Sequence, residues 1–475
     1  MDEPQKTEPE AARAEPLPLQ APLPEPGGTF AVLRHDAFRA VWLGAMVSNV
    51  GNWMESVGQS WLVHQQTDSP FLVEVLAASE FLPVALLTLY AGALADRYDR
   101  RKLLLAGQVA MMIFAAALAL LTHLGHATTW VIITIAFFEG AAWAAVTPAW
   151  QSLVPTLVPR RELPSAIALN SAQFNAARLI GPSLAGALLT ATSAAFVFDL
   201  NVLSFLAIVI ALVTLRVPKD SLARAQARSN KRQKGHLLEG VRWALRERGP
   251  RRLVLSFVVF ALCAAPVQGL MPSMAGSVLK VSAHGYGILL SCLGLGAITG
   301  ALTLARLPRT YPRHHLIPLS MLGYSLCALV YASSDFLVLS GLALAIAGVF
   351  WVWALASSST AMQLLVPDET RGRAMSVLAL ATMGPLPLGH LLGGTLANYL
   401  GVRAAISLTT AALAIFSLWS VWAREPAIDA MEPSRPPPAR TLRGAVWEAL
   451  TAASHRAQEV EPGVPPGNAE PIDEP

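Results

Sequence analysis

The sequence has few charged residues. Lys, Arg, Asp and Glu together make up 14% of its 475 residues, whereas hydrophobic residues make up 54%. A soluble domain usually carries about 25% charged residues, so much of this chain's surface is expected to face something other than water. The length alone fits two or three soluble domains, but repeated long apolar runs indicate a membrane bundle instead.

Cysteines and the usual catalytic groupings are also scarce. The three cysteines, Cys263, Cys292 and Cys327, lie inside apolar runs without the spacing of a metal site or a disulfide, which favours packing roles. His314 and His315 have no acidic neighbours that would suit an enzyme. No ATP-binding glycine loop is present, so any transport would be driven by an ion or substrate gradient. We therefore predict no enzyme, no catalytic residues, no metal, no cofactor and no nucleic-acid partner.

Twelve segments are long and apolar enough to cross a bilayer, which takes about 20 residues each. Their approximate limits are 39–63, 73–95, 103–122, 129–150, 165–190, 196–215, 253–277, 286–305, 315–332, 336–358, 373–398 and 404–423. The fold class predicted from them is an all-α polytopic membrane protein with twelve transmembrane helices.

Basic residues are concentrated in alternate loops. Twelve of them lie in the longest connection, between Arg216 and Arg252, whereas the loops of the other side hold only Lys280 and Arg403. Since loops rich in Lys and Arg stay in the cytoplasm, both termini are predicted to be cytoplasmic.

The same pattern predicts how the chain is divided. The predicted parts are a disordered tail (1–35), a six-helix half (36–216), a cytoplasmic linker (217–252), a second six-helix half (253–424) and a mostly disordered tail (425–475). The linker is expected to hold an interfacial amphipathic helix over 236–248. A similar stretch at 442–450 is interpreted equally well as a membrane-bound helix or a weak solvated one.

An internal repeat supports the two halves. At a constant offset of 208 residues, Gly92-Ala93-Leu94 matches Gly300-Ala301-Leu302, Gly140 and Trp143 match Gly348 and Trp351, and Gly181 and Gly186 match Gly389 and Gly394. One such match is easily chance, but a constant offset across three helices is not. Transporters built from two parallel repeats enclose their site between them, near the middle of the bilayer.

The loop after the second span carries the sharpest motif, which reads GALADRYDRRK from Gly92 to Lys102. It resembles the loop signature of the major facilitator superfamily. In that family the cluster, here Gly92, Asp96, Arg97, Arg100 and Arg101, latches the outward-open state. A basic loop that only fixes topology is the alternative, although topology needs neither the glycine nor the aspartate.

A second motif lies in the fifth span. Gly181, Pro182 and Gly186 resemble the glycine–proline motif of facilitator antiporters, while generic small-residue packing explains them as well. The wider resemblance, over roughly 36–424, is to the enterobactin-exporter-like branch. It implies proton-driven export of a drug, a siderophore or another small molecule, by a monomer in the bacterial inner membrane. Glu55, Glu80 and His390 depart from that branch's pattern.

Ionisable and polar side chains inside spans are costly, so each is a functional candidate. The predicted proton and substrate cavity comprises Glu55, Gln59, Glu80, Glu139, Asn170, Asn175, Arg178, Gln268, Trp143 and Trp351. Counting residues from the ends of their spans places Glu139 and Arg178 at the same depth in the membrane. We therefore expect them to pair, either as a static ion pair or as part of a proton site. Glu74 and Asp199 are expected at the membrane interface, and His390 is expected to be a packing histidine.

The function predicted from these features is secondary active transport of a small amphiphilic molecule, coupled to protons. An importer or lipid transporter on the same fold is the alternative. A membrane sensor without transport, or a membrane enzyme, is a remote one.

Overall fold

In this computed structural model all regular secondary structure in the described part of the chain is helical. It comprises residues 29–97, 99–215, 246, 248–307, 313–366 and 371–422, with 29, 88–97, 160, 248, 313–314 and 371–373 described by their backbone alone. The tail predicted at 1–35 lies outside it except for residues 29–35, which begin with the 3-10 helix Thr29–Arg34. The tail at 425–475, with the stretch at 442–450, lies outside it, and only 246 and 248 of the helix expected at 236–248 are described.

Twelve long helical segments follow a short 3-10 helix, Thr29–Arg34. The first six are α1 (Asp36–Thr67), α2 (Pro70–Arg97), α3 (Arg100–His123), α4 (Thr129–Leu153), α5 (Leu163–Ala191) and α6 (Ala194–Thr214). The next is α7 (Arg248–Gly269), which continues through Met271–Ser273 and a π-helical turn, Met274–Val278. Then come α8 (Ala283–Arg306), α9 (Arg313–Ser333), α10 (Leu337–Leu365), α11 in two parts (Arg371–Met383 and Leu386–Leu400) and α12 (Val402–Trp422). The predicted all-α, twelve-helix class is confirmed.

Ten stretches among the described residues are long and apolar enough to cross a membrane. The two long helices without such a stretch are α1 and α5. They carry Glu55 and Gln59, and Asn175 and Arg178, within their middle turns. These polar residues help to explain why the two helices fall short of membrane hydropathy.

The helix pairings repeat along the chain. Among α1–α6 the main contacts are α1 with α5 and α6, α2 with α4, and α3 with α4 and α6. The same pairings recur six helices later: α7 with α11 and α12, α8 with α10, and α9 with α10 and α12. This arrangement agrees with the 208-residue repeat of the sequence.

Two further interfaces join the first six helices to the last six: α5 with α8, and α2 with α11. At the α5–α8 interface a Cβ on Gly186 would lie 2.6 Å from the Ala283 carbonyl oxygen, and the Ser183 and Ser291 hydroxyls are 2.5 Å apart. Nearby, the Ser277 hydroxyl donates to Asp68 at 3.0 Å. We call this end of the bundle, which contains Asp68, the closed end.

The α2–α11 interface contains a buried acid–histidine pair. Glu74 Oε2 lies 2.5 Å from His390 Nδ1, and neither side chain is more than 5% exposed. Glu74, expected at the membrane interface, is thus wholly buried between two helices. The chain approaches closely enough to bury it because Gly269, Gly393 and Gly394 leave room that a Cβ would fill. His390, expected only to pack, also stacks on Phe81 with ring centroids 5.9 Å apart.

At the opposite end, which we call the open end, arginines cap helix C-termini. Arg101 donates to the carbonyls of Leu212, at 2.7 Å, and of Val213, at the end of α6. Such an arginine satisfies carbonyls that lack a helical partner and complements the helix dipole. Arg100 is buried. Gly92, Asp96 and Arg97 lie in the last turns of α2, with only their backbone described, so the latch stays a prediction.

We predict that Gly296→Ala destabilises the protein, since the new Cβ would lie 1.9 Å from the Ala345 carbonyl oxygen of α10. Overpacking against backbone costs about 1–3 kcal/mol, seen as a lower midpoint in thermal unfolding. Gly294→Ala is the matched control, because its Cβ would meet nothing closer than 3.4 Å. Equal midpoints for the two variants would contradict the close α8–α10 approach.

We also predict that Glu74→Ala and His390→Ala are not additive. Each single substitution leaves a buried polar partner unsatisfied. The double variant should therefore lose less free energy of unfolding than the two single variants added together, by on the order of 1–3 kcal/mol. The measurement is a double-mutant cycle by thermal unfolding. The exposed His123–Asp199 pair, 2.8 Å apart, is the control and should couple by at most about 1 kcal/mol. Equal coupling in both cycles would argue against the buried pair.

Candidate functional site

One face of α5 is exposed along the open half of the helix and buried along the closed half. In the open half, five exposed residues lie on the same face as Arg178, as their helical spacing shows. They are Pro164, Ile167, Ala168, Ser171 and Phe174. Farther along the same face, Gly181, Pro182, Ala185 and Gly186 are buried. The opposite face, with Ile180, Leu184 and Ala187, is exposed in the closed half. The Arg178 face therefore lines a cavity that reaches the open end.

α8 shows the same change along its length. Its first turns at the closed end, including Gly285, Tyr286 and Gly287, are buried. Its last turns, including Leu302 and Thr303, are exposed. The cavity thus ends at the α5–α8 contact.

Three predicted residues meet beside this cavity. The Gln59 amide nitrogen donates to Glu139 Oε2 at 3.1 Å and to Glu55 Oε1 at 3.4 Å. Both carboxyl groups therefore lie within hydrogen-bond reach of one amide nitrogen. Two carboxylates that share a site repel each other, so a proton on one of them stabilises the arrangement. This arrangement can hold and release a proton.

We call Glu55, Gln59 and Glu139 the carboxyl cluster, and two more hydrogen bonds lie next to it. The Asn201 amide of α6, wholly buried, donates to Glu55 Oε2. Ser56 donates to Glu80 Oε1 at 3.4 Å. The sequence analysis missed Asn201, although its place in the middle of an apolar span should have signalled it by the rule that identified the glutamates. Glu55 is 4% exposed, so its side chain is largely shielded from solvent.

Arg178 takes a different partner from the one expected. It does not pair with Glu139 within 4.0 Å; its Nη2 donates to Gln268 Oε1 of α7 at 3.0 Å. Its guanidinium also lies 5.6 Å from the ring centroid of Trp53. Both helices face the cavity at this depth, so the contact joins the first six helices to the last six.

Aromatic rings gather on the α7–α10 side. Phe260, Tyr324 and Trp351 contact one another with centroids 5.2–5.7 Å apart. Trp351 therefore packs in an aromatic cluster, whereas its repeat counterpart Trp143 is 36% exposed. The fold gives these two related tryptophans different surroundings.

The remaining predicted residues are placed as follows. Asn175 is partly buried and donates to the Ser171 carbonyl at 2.8 Å, and Asn170 is partly buried. Gly181 packs against Trp53 of α1, and Gly186 packs against α8. Asp199, expected at the membrane interface, is about half exposed beside His123. Among the described residues no group of His, Cys, Asp and Glu is arranged to hold a metal ion.

Comparison with known proteins gives the family. The family model described as transmembrane secretion effector matches residues 27–448. The staphyloferrin A transporter of Staphylococcus aureus is 24% identical, over 76% of this chain and 89% of its own length. Macrolide efflux protein A of Streptococcus pyogenes is 21% identical, over 77% and 90%. The enterobactin exporter EntS of Shigella boydii is 26% identical, over 71% and 80%.

A solved structure agrees with the fold. A bacterial homologue of the human lysosomal transporter Spinster, inward-facing and unoccupied, superposes with a TM-score of 0.69 at 14% identity, covering 84% of this chain and 98% of that one. The family model spans most of the sequence, and the named relatives are transporters and exporters rather than enzymes. The chain therefore belongs to the transmembrane secretion effector family of major facilitator transporters, which are multi-pass membrane proteins.

Proposed function

We propose that this transporter exports a small amphiphilic molecule in exchange for protons. It acts as a monomer in the bacterial inner membrane, with both termini in the cytoplasm and six-helix halves at 36–216 and 253–424. The observation that carries the proposal is the pair of carboxyl groups, Glu55 and Glu139, that share the Gln59 amide as donor. The names of relatives, which include a macrolide efflux protein and an enterobactin exporter, support the outward direction.

The carboxyl cluster supports proton coupling because its hydrogen-bond partners are neutral. Gln59 and Asn201 donate to the carboxyl groups, and no Lys, Arg or His among the described residues forms an ion pair with Glu55 or Glu139. A proton is therefore the simplest counter-charge for them inside the membrane. Gain or loss of that proton changes the net charge of the first six helices.

The contacts at the closed end support alternating access. With the termini in the cytoplasm, the open end faces inward, so the cavity receives cargo from the cytoplasm. Export then requires the α5–α8 and α2–α11 contacts to separate while the open end closes. The loop signature with Asp96, Arg97 and Arg101 lies at the open end and would latch that second state.

The walls of the cavity support an amphiphilic cargo. Phe174 and Trp53 contact edge to face with centroids 6.5 Å apart, and the Phe260 cluster lies across from them. Aromatic rings contribute large apolar contact areas, whereas a sugar would need many hydrogen-bonding groups. Relatives with drug and siderophore names fit this class.

We predict that Glu139→Gln and Glu55→Gln each abolish cargo-dependent proton flux, since a glutamine cannot exchange a proton. The measurement uses purified protein in liposomes that contain a pH-sensitive dye, under an imposed pH gradient. A cationic dye, a macrolide and a catecholate siderophore serve as trial cargoes.

Asp199→Asn is the matched control for this experiment. Asp199 is an acid in a membrane helix, but it pairs with His123 outside the carboxyl cluster, so its substitution should leave the flux unchanged. Cargo movement by the unaltered protein without proton movement would rule out antiport. Unchanged flux in both glutamine variants would rule out the cluster as the proton site.

A further inference from the structure

Arg178 is a membrane-embedded cation that has no carboxylate partner among the described residues. Its hydrogen-bond partner is the neutral amide oxygen of Gln268, and its guanidinium carbon lies over the Trp53 ring. A charge inside a membrane protein is costly unless it is compensated. Neither an amide nor a ring face supplies a negative charge, so in this state the guanidinium can accept an anion.

The place of Arg178 suits a ligand that arrives through the cavity. It lies where the exposed face of α5 meets the buried closed end, and it remains partly exposed. Phe174 lies one turn nearer the open end on the same face, is 42% exposed and contacts Trp53. A molecule entering from the open end therefore meets two aromatic rings before it reaches the guanidinium.

Aromatic groups approach from the other six helices as well. The Tyr324 hydroxyl donates to the Ala264 carbonyl of α7 at 3.4 Å, one turn from Gln268. Tyr324 also packs against Trp351, which is partly exposed. Gln268 supplies an amide that can rotate from the guanidinium to a ligand's own polar groups. The surroundings thus combine one cation, one amide and aromatic walls on both sides.

We propose that Arg178 and Gln268, between Trp53 and Phe174 on one side and Tyr324 and Trp351 on the other, form the binding site for an aromatic anion. The anionic group, a carboxylate, sulfonate or catecholate, takes the place of Gln268 Oε1 on the guanidinium. The ligand's ring contacts the aromatic walls. This inference rests on the proposed function in that it takes the cavity to be the transport pathway, and it narrows the amphiphilic cargo to anions.

Two probes separate charge from ring contact. The first, 8-anilinonaphthalene-1-sulfonate, is an aromatic anion, and the second, N-phenyl-1-naphthylamine, is the same ring system without the sulfonate. Binding to the full-length protein in lipid nanodiscs is followed by energy transfer from tryptophan, with empty nanodiscs subtracted. We expect the unaltered protein to bind the sulfonate more tightly than the neutral probe.

Arg178→Gln should raise the Kd of the sulfonate about tenfold or more, because a charge-assisted contact is lost. It should leave the Kd of the neutral probe unchanged, which also shows that the variant is folded. Arg178→Lys should retain part of the preference, since it keeps the charge and loses the fork geometry. Arg403→Gln, at an exposed arginine paired with Asp335, is the control and should change neither Kd.

Two outcomes would overturn the inference. One is equal weakening of both probes in Arg178→Gln, as expected if the arginine only holds α5 against α7. The other is a sulfonate Kd that does not depend on Arg178. Neither result bears on proton exchange, and the binding measurement needs no gradient. A failure of the proposed antiport, seen in the liposome assay, is therefore distinguishable from a failure of this site.

Discussion

The interior of a membrane offers no water to a polar side chain, so a polar group in the spans is costly unless it finds a partner in the protein. In this transporter the requirement determines where the helices meet. Gln59 is shared by two carboxyl groups, Glu74 is paired with His390, and Arg178 is paired with Gln268. Two of these three contacts cross from the first six helices to the last six. The polar groups that make a transport pathway possible therefore also hold this state of the bundle together.

Much of the fold follows from the sequence because hydropathy and charge act locally. A run of about 20 apolar residues can only be a helix in a membrane, and the 208-residue repeat indicated pairings that the structure shows in both sets of helices. The depth of a residue follows from its distance to the helix ends. Depth placed Glu139 level with Arg178, but it did not predict that Gln59 contacts both Glu55 and Glu139.

The partners were harder to predict because depth does not give the rotation of a helix about its axis. Glu139 and Arg178 lie at one depth, yet Arg178 is directed across the cavity to Gln268. Glu74 begins a helix, which in isolation indicates an interface, and its burial depends on glycines of α7 and α11 that are far away along the chain. Such contacts between distant segments become visible only when the helices are assembled.

The two interfaces between the sets of six helices occupy equivalent places in the repeat, but they differ in chemistry. The α5–α8 interface consists of glycine backbone and serine hydroxyls, whereas the α2–α11 interface contains the Glu74–His390 pair. A change in charge at Glu74 or His390 therefore weakens the α2–α11 interface and leaves the α5–α8 interface intact. Because only one of the two interfaces is weakened, the closed end is expected to open first on the α2–α11 side. The α5–α8 contact then serves as the pivot, so the opening motion is asymmetric.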